Sequence, residues 1–464
     1  MSILVLLAIH SFLTGLDATV LTPSLFGYLE VLMGVEPDHD ALMDTYGRLY
    51  LIQSLTTLVV TPMITEYLVR TGKKGLRGAI LLSAFGSACG GFLYTSASCV
   101  SGDRVVVMVV SRSLDAAFLS FARAIRSVWV TKFVPNTERA KVETCLVVAF
   151  LGGQSVGPGV AGLLNGFQWK LSQTITLTQF NSVGVCIGFA YLLYLFPLYL
   201  GFHIPSAPLQ VSRVNDGKSH SVVVPILRLL CMTSVMTTFR TIDLWFAPVC
   251  VVIFQMNPNE ISFLYLAAAG GSVVSILLNI LLKRHVRSSF SQTLWSIVLV
   301  VFGATLFNVS TYSVTRNTIF LLAVWFGMGI APLIVENRAQ FTIVVSSYTN
   351  VARWLTMWEY VLMGSMVCAT EIISRGLRSM DHDRVGSSQQ LTPLITGSVV
   401  VAISIACFAS LSIWGGDFWT TIHTTTLAME EEVGMLTIES GGSDRSNLKN
   451  THNSIPPLKE FSNS

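Results

Sequence analysis

The sequence predicts an all-α, polytopic membrane protein with twelve transmembrane helices in two six-helix bundles. Three observations predict it. Of 464 residues, 52% are hydrophobic and only 12% are charged, about half the charged share of a soluble domain. The mean hydropathy is +0.62. The apolar residues fall in runs of roughly 20, the length that crosses ~30 Å of hydrocarbon as a helix. The ten-residue alternating segments of a membrane barrel do not recur.

These numbers exclude soluble enzymes, disulfide scaffolds and disordered chains. The 29 Lys+Arg against 26 Asp+Glu leave +3, which gives no basic footprint for nucleic acid. Seven of the eight cysteines lie inside apolar runs and Cys99 lies near a helix end. None has a ligand-type spacing, so neither a metal site nor a disulfide framework is expected.

The predicted spans are 3–26, 45–68, 77–98, 104–130, 142–165, 178–202, 222–249, 261–283, 289–309, 317–343, 354–374 and 391–414. The first lacks an Arg/Lys flank and a small-residue cleavage site, so it is read as a retained helix rather than a signal peptide. The polar break at 203–221, with Pro205, Pro208, Asn215, Asp216 and Gly217, is read as a cytosolic linker. It divides the chain into bundles at 1–202 and 222–414. From Gly415 to Ser464 the hydropathy collapses into Ser, Thr, Asn, Gly and charge, a composition expected to form a disordered cytosolic tail.

Loop charge sets the orientation. The loops after the even spans hold thirteen Lys/Arg, among them Arg70, Lys73, Lys74, Arg77, Lys132 and Arg139, against six in the opposite loops. The loop after span one has no Lys or Arg but carries Glu36, Asp38, Asp40 and Asp44. Both termini are therefore expected to be cytosolic. Three of the six opposing charges, Arg375, Arg378 and Arg384, sit in the last loop against the rule.

Ionisable groups inside spans are costly and normally face a bundle interior or a cavity. Span four is the richest, with Arg112, Asp115, Arg123 and Arg126. At 100° per residue they share a stripe about 80° wide. Arg112–Asp115 at i,i+3 can pair. The stripe remains net positive, so arginines lining a cavity would attract an anion such as carboxylate or phosphate. Arg240 in span seven joins Arg112, Asp115, Arg123 and Arg126 as a substrate-binding candidate, and local neutralisation by Asp243 is the alternative. Glu336, Asn337 and Arg338 in span ten are read as locally neutralised. Asp17 and Glu359 have no opposite charge on their own helix face and are the proton-coupling candidates. His10, on the face of Asp17, is read as merely polar. Span five holds a run of small residues from Gly153 through Gly157, Pro158 and Gly162, suited to close helix approach and a bend where helices rock. No nucleophile–base, metal or phosphate-loop constellation is present in the sequence, so no enzyme activity and no cofactor is expected. In the tail, Glu431 precedes Met435-Leu436 by four residues, resembling acidic-dileucine signals read by sorting adaptors.

Together these motifs resemble the major facilitator superfamily. Arg70-Thr71-Gly72-Lys73-Lys74 resembles its loop signature between spans two and three, with Thr65 in place of the leading glycine and Val69 in place of the aspartate. Arg112 matches the fourth-helix arginine, and Gly153 to Gly162 fits the antiporter-type motif with Ala161 replacing one glycine. Phe12-Leu13-Thr14-Gly15, Ala124-Ile125-Arg126-Ser127, Glu138-Arg139 and Phe239-Arg240-Thr241-Ile242 are similar to the ceroid-lipofuscinosis-associated lysosomal branch. The resemblance implies the major facilitator fold and gating roles for Arg70, Gly72, Lys73 and the Gly153–Gly162 run. It also implies an endosomal or lysosomal rather than plasma membrane. The expected activity is secondary transport of a small anionic solute by alternating access, with proton coupling as an option. An anion channel and a transport-inactive receptor or scaffold of the same fold remain open alternatives. The expected partners are a small molecule or ion, the lipid bilayer and sorting adaptors, not nucleic acid.

Overall fold

The computed structural model describes residues 3–34, 39–164, 168–170, 176–202 and 255–282, with scattered positions between 226 and 251 and between 320 and 367. Its elements are α1 (Ile3–Val20), α2 (Thr22–Met33), α3 (His39–Thr71), α4 (Lys73–Ser96), α5 (Arg104–Phe133) and α6 (Asn136–Leu163). A short hairpin of β1 (Trp169–Lys170) and β2 (Thr176–Leu177) follows, then α7 (Ser182–Gly201) and, in the second half, α8 (Pro258–Leu282). Among the described residues, six helices are long and apolar enough to cross a membrane: α1, α4, α5, α6, α7 and α8. These six occupy predicted spans one, three, four, five, six and eight, and α3 occupies span two.

Local sequence explains the ends. Span one is not one rod: it bends at Leu21 and restarts as α2 with Pro23 in the first turn. Proline cannot donate to Thr19 and its ring crowds that carbonyl, so the helix breaks just before it. Gly72 alone separates α3 from α4, at φ +62, a conformation that costs glycine little. Asp103 caps α5, accepting from the amides of Val105 and Val106 at 3.1 Å each. α5 ends two residues before Pro135, as the restriction on a pre-proline residue requires. The hairpin, paired Trp169 to Leu177 and Lys170 to Thr176, was not foreseen. Asn181 ties it to the turn after α4 by donating to Thr176 O at 2.9 Å and to Ser98 Oγ at 2.8 Å.

Helix packing rests on glycine seams. α1 lies along α6, where a Cβ at Gly15 would overlap Phe150 O and one at Gly153 would overlap Phe12 O. α4 lies along α7, where a Cβ at Gly91 would come within 2.6 Å of Gly184 O. Such backbone contact replaces the hydrophobic drive that apolar surroundings cannot supply. Large apolar side chains such as Val59, Val106, Leu193 and Phe196 point outward and are more than half exposed, as lipid-facing positions should be.

Candidate functional site

The four ionisable residues of α5 resolve into two stations. At the first, Arg112 Nη1 donates to Asp115 Oδ2 at 2.7 Å, with each side chain 4% exposed. Asp115 is pressed against α4, since a Cβ at Gly90 would lie 3.4 Å from Asp115 Cβ. Ser111 fixes that approach by donating to Gly90 O at 3.0 Å. Asp17 of α1, 1% exposed, is buried beside the pair, close enough to interact with Asp115, Arg112 and Tyr191. Tyr50 of α3 and Tyr94 of α4 also lie within electrostatic reach of Arg112. Two carboxyl groups and one guanidinium are thus enclosed by α1, α3, α4, α5 and α7.

The second station lies about 16 Å further along α5, at 1.5 Å per residue. Arg126 Nε is 3.7 Å from Glu143 Oε1 of α6, with side chains 11% and 2% exposed. Its guanidinium carbon lies 5.9 Å from the Phe150 ring centroid, within cation–π range. Arg123, on the same face, is half-buried. Glu143 was missed by sequence reasoning. The available signal was an acidic residue one position inside the predicted span 142–165.

The loop signature shows a different logic from the small-residue run. Arg70 pairs with Glu66 one turn back, and both are exposed. Lys73 opens α4 directly after Gly72. Lys132 donates to Val69 O, tying the end of α5 to the end of α3. Arg139 is buried and closes the last turn of α5 through Val134 O at 3.1 Å and Thr131 O at 2.5 Å. Burial pushes its guanidinium below the ordinary arginine value, and the two carbonyls keep its donors satisfied. In α6 the run divides between two faces. Gly153 and Gly157 sit on α1, while a Cβ at Gly162 would lie 3.5 Å from Ser262 Cβ of α8, and one at Gly159 would lie 3.5 Å from Leu266. Pro158 falls inside the helix between them.

The structure brings Asp17, Arg112 and Asp115 together and places Arg123 and Arg126 at a separate depth. Arg240, Asp243, Glu336, Asn337, Arg338 and Glu359 lie outside the described residues, as do Glu431, Met435 and Leu436.

The sequence matches the family model of the Major Facilitator Superfamily over residues 7–353. Two SPX domain-containing membrane proteins of Oryza sativa, from subspecies indica and japonica, are each 29% identical to it over 114 residues, 24% of this chain. The matched stretch spans only 16% of the rice proteins' own length. Among solved structures, a bacterial homologue of the human lysosomal transporter Spinster, inward-facing and unoccupied, aligns with TM-score 0.58 and 12% identity over 88% of this chain and 94% of its own. A D-xylose–proton symporter aligns with TM-score 0.66 and 14% identity over 87% and 96%. The xylose transporter XylE from E. coli, partially occluded and inward open, aligns with TM-score 0.62 and 13% identity over 87% and 95%. At these identities the structural likeness is one of fold. The family model, which covers most of the chain, carries the assignment: the chain belongs to the Major Facilitator Superfamily.

Proposed function

We propose that this chain is a secondary transporter that moves a small anionic solute by alternating access and couples the movement to protons. The observation that carries the reading is the buried group Asp17–Arg112–Asp115, drawn from α1 and α5. A structural ion pair is complete with Arg112 and Asp115. A third ionisable group buried beside it leaves one negative charge over, which a proton neutralises at low cost in a site that disfavours net charge. One structural neighbour is by name a proton symporter, which supports proton coupling as the form of energy input.

The proposed anion contact is Arg126, whose Nε lies 3.7 Å from Glu143 Oε1. A guanidinium fork suits carboxylate or phosphate oxygens. Arg123 and Arg240 are assigned to the same role, and Glu359 to a second proton site in the other bundle. Arg70, Gly72, Lys73 and the α6 run are assigned to gating. The loop charges support cytosolic termini. The branch resemblance, a neighbour described as the homologue of a lysosomal transporter and the Glu431–Leu436 segment support an endolysosomal membrane reached through sorting adaptors.

Flux in proteoliposomes containing the purified protein tests this, with a panel of small carboxylates, phosphates and sugars offered under an imposed pH gradient. Saturable uptake of an anion that collapses with the gradient is the expected result. Ohmic anion current would instead identify a channel, and absence of any flux a receptor or scaffold.

A further inference from the structure

Behind the carboxyl pair, the first bundle encloses a file of polar side chains in otherwise apolar packing. α1, α4 and α7 contribute to each layer. His10, Ser83 and Tyr194 form one: His10 Nε2 lies 3.4 Å from Ser83 Oγ, and the His10 and Tyr194 ring centroids are 5.7 Å apart. Thr14, Ser87 and Tyr191 form the next, with the Tyr191 phenol facing both hydroxyls. Tyr191 also faces Asp17 and Asp115, which with Arg112 make the third layer. The sequence spacing stacks them: 10, 14 and 17 on α1, 83 and 87 on α4, 194 and 191 on the antiparallel α7, each step about one helical turn. None of these nine residues is more than 4% exposed. One turn beyond His10 the same register presents Leu6, Ile80 and Leu198, all 0% exposed, an apolar layer that closes that end.

The file is under-satisfied. Among the described residues, Asp17 Oδ2, Asp115 Oδ1, Arg112 Nε, Ser87 Oγ and Tyr191 Oη have no hydrogen-bond partner. A stranded buried polar atom costs about 1–3 kcal/mol, so such a cluster is expected to recruit small hydrogen-bonding guests. Two ionised carboxylates offer each other only acceptors, and a bond between them requires a proton. The ionisable groups that face Asp17 are Asp115 and Arg112 from α5 and Tyr191 from α7. α6, the other helix along α1, presents Phe150, Gly153, Gln154 and Gly157 there, none of them ionisable. His10 meets Ser83 and Tyr194 and no charged side chain among the described residues.

We propose that Asp17 and Asp115 share a single proton, and that Tyr191, Thr14, Ser87 and His10 with intervening water relay it through the interior of the first bundle. The step is a proton transfer: a carboxyl O–H breaks, each hydroxyl or water in the file accepts one proton and releases one, and an imidazole N–H forms at His10. The proton leaves when the Leu6–Ile80–Leu198 layer hydrates. This deepens the proton-coupled reading above by adding the second acid and a route separate from the space between the bundles. Polar and titratable files of this kind are the usual form of intramembrane proton relays.

The test uses the full chain in lipid nanodiscs, without substrate. Infrared difference spectra across pH report the protonated carboxyl, and a pH jump gives the rate at which its band appears. Among its titrating carboxyl bands, wild type should show one that both Asp17→Asn and Asp115→Asn abolish. Survival in either variant of the band that the other variant loses overturns the shared proton. His10→Phe and Tyr191→Phe should keep the band and slow its appearance at least about tenfold, a modest share of what a placed proton donor contributes. Ser83→Ala serves if His10→Phe does not fold. Unchanged rates overturn the relay and leave the coupling of Asp17 standing. Slowed rates in a protein that transports nothing uphold the relay and sink the transport reading.

Discussion

Thr19 of α1 donates its hydroxyl to the carbonyl of Gln154 in α6 at 3.0 Å. Gln154 stands four residues before Pro158, which lies inside the helix. Proline has no N–H, so that carbonyl loses its intrahelical donor, and in a membrane the loss must be made good by a neighbouring helix. The same hydroxyl also reaches Gly15 O in its own helix at 3.2 Å. A Cβ at Gly157 would overlap Thr19 Oγ1. Pro158 thus creates the demand for the bond and Gly157 leaves the room for it.

Thr19→Val should therefore strand a buried carbonyl at constant shape and cost about 1–2 kcal/mol. Thr19→Ser should restore most of it. Thermal unfolding of the purified protein checks the order, which fails if valine matches wild type. Gly78, with nothing within 4 Å of its would-be Cβ, is the contrasting position. Gly78→Ala should be neutral or stabilise by up to about 1 kcal/mol.

Arg112→Lys should insert and fold yet transport poorly. Lysine keeps the charge but not the planar fork that meets Asp115 at 2.7 Å while facing Asp17, Tyr50 and Tyr94. Wild-type uptake by a properly inserted lysine variant would show that charge alone suffices. Removing Arg112 or Asp115 singly should destabilise by about 3 kcal/mol or more, and removing both by less than the sum. A double-mutant cycle of thermal stabilities measures the difference.

At the second station, Glu143→Gln should lower KM for an anionic substrate. Its carboxylate competes for Arg126 across 3.7 Å, so neutralising it should tighten anion binding about threefold, the weight of a weak ion pair. Uptake titrations in proteoliposomes read this directly. A raised KM would place Glu143 among the substrate ligands instead.

In the tail, replacing Met435 and Leu436 by alanine should send the protein to the cell surface. Surface biotinylation in cultured cells measures it. Unchanged placement would discard the tail as the address and leave the membrane assignment to other segments.

The alignment of Arg112, Asp115, Arg123 and Arg126 on one face was legible because it depends only on helical period. That they form two stations was not, because the division is made by partners remote in sequence, Asp17 for the first and Glu143 for the second. The break in span one follows from Pro23, but an apolar run that continues past a proline reads as one span until the packing is seen. Tyr191 sat in the apolar stretch of α7, where tyrosine suggests a membrane-interface anchor. Its place beside two carboxylates comes from the glycine contact of α4 with α7.

The α1–α6 seam and the α8 face of α6 have unequal tolerance to inherited change. On the α1 side even a methyl group at Gly15, Gly153 or Gly157 would strike backbone or a bonded hydroxyl, whereas on the α8 side Gly159 and Gly162 leave ordinary van der Waals room. Missense variants at the first three positions should reduce the amount of protein that reaches its membrane. Variants at the last two should appear in normal amounts with altered turnover. A saturation library read by abundance and by flux would separate these positions into two classes, which alternate within a few residues along α6.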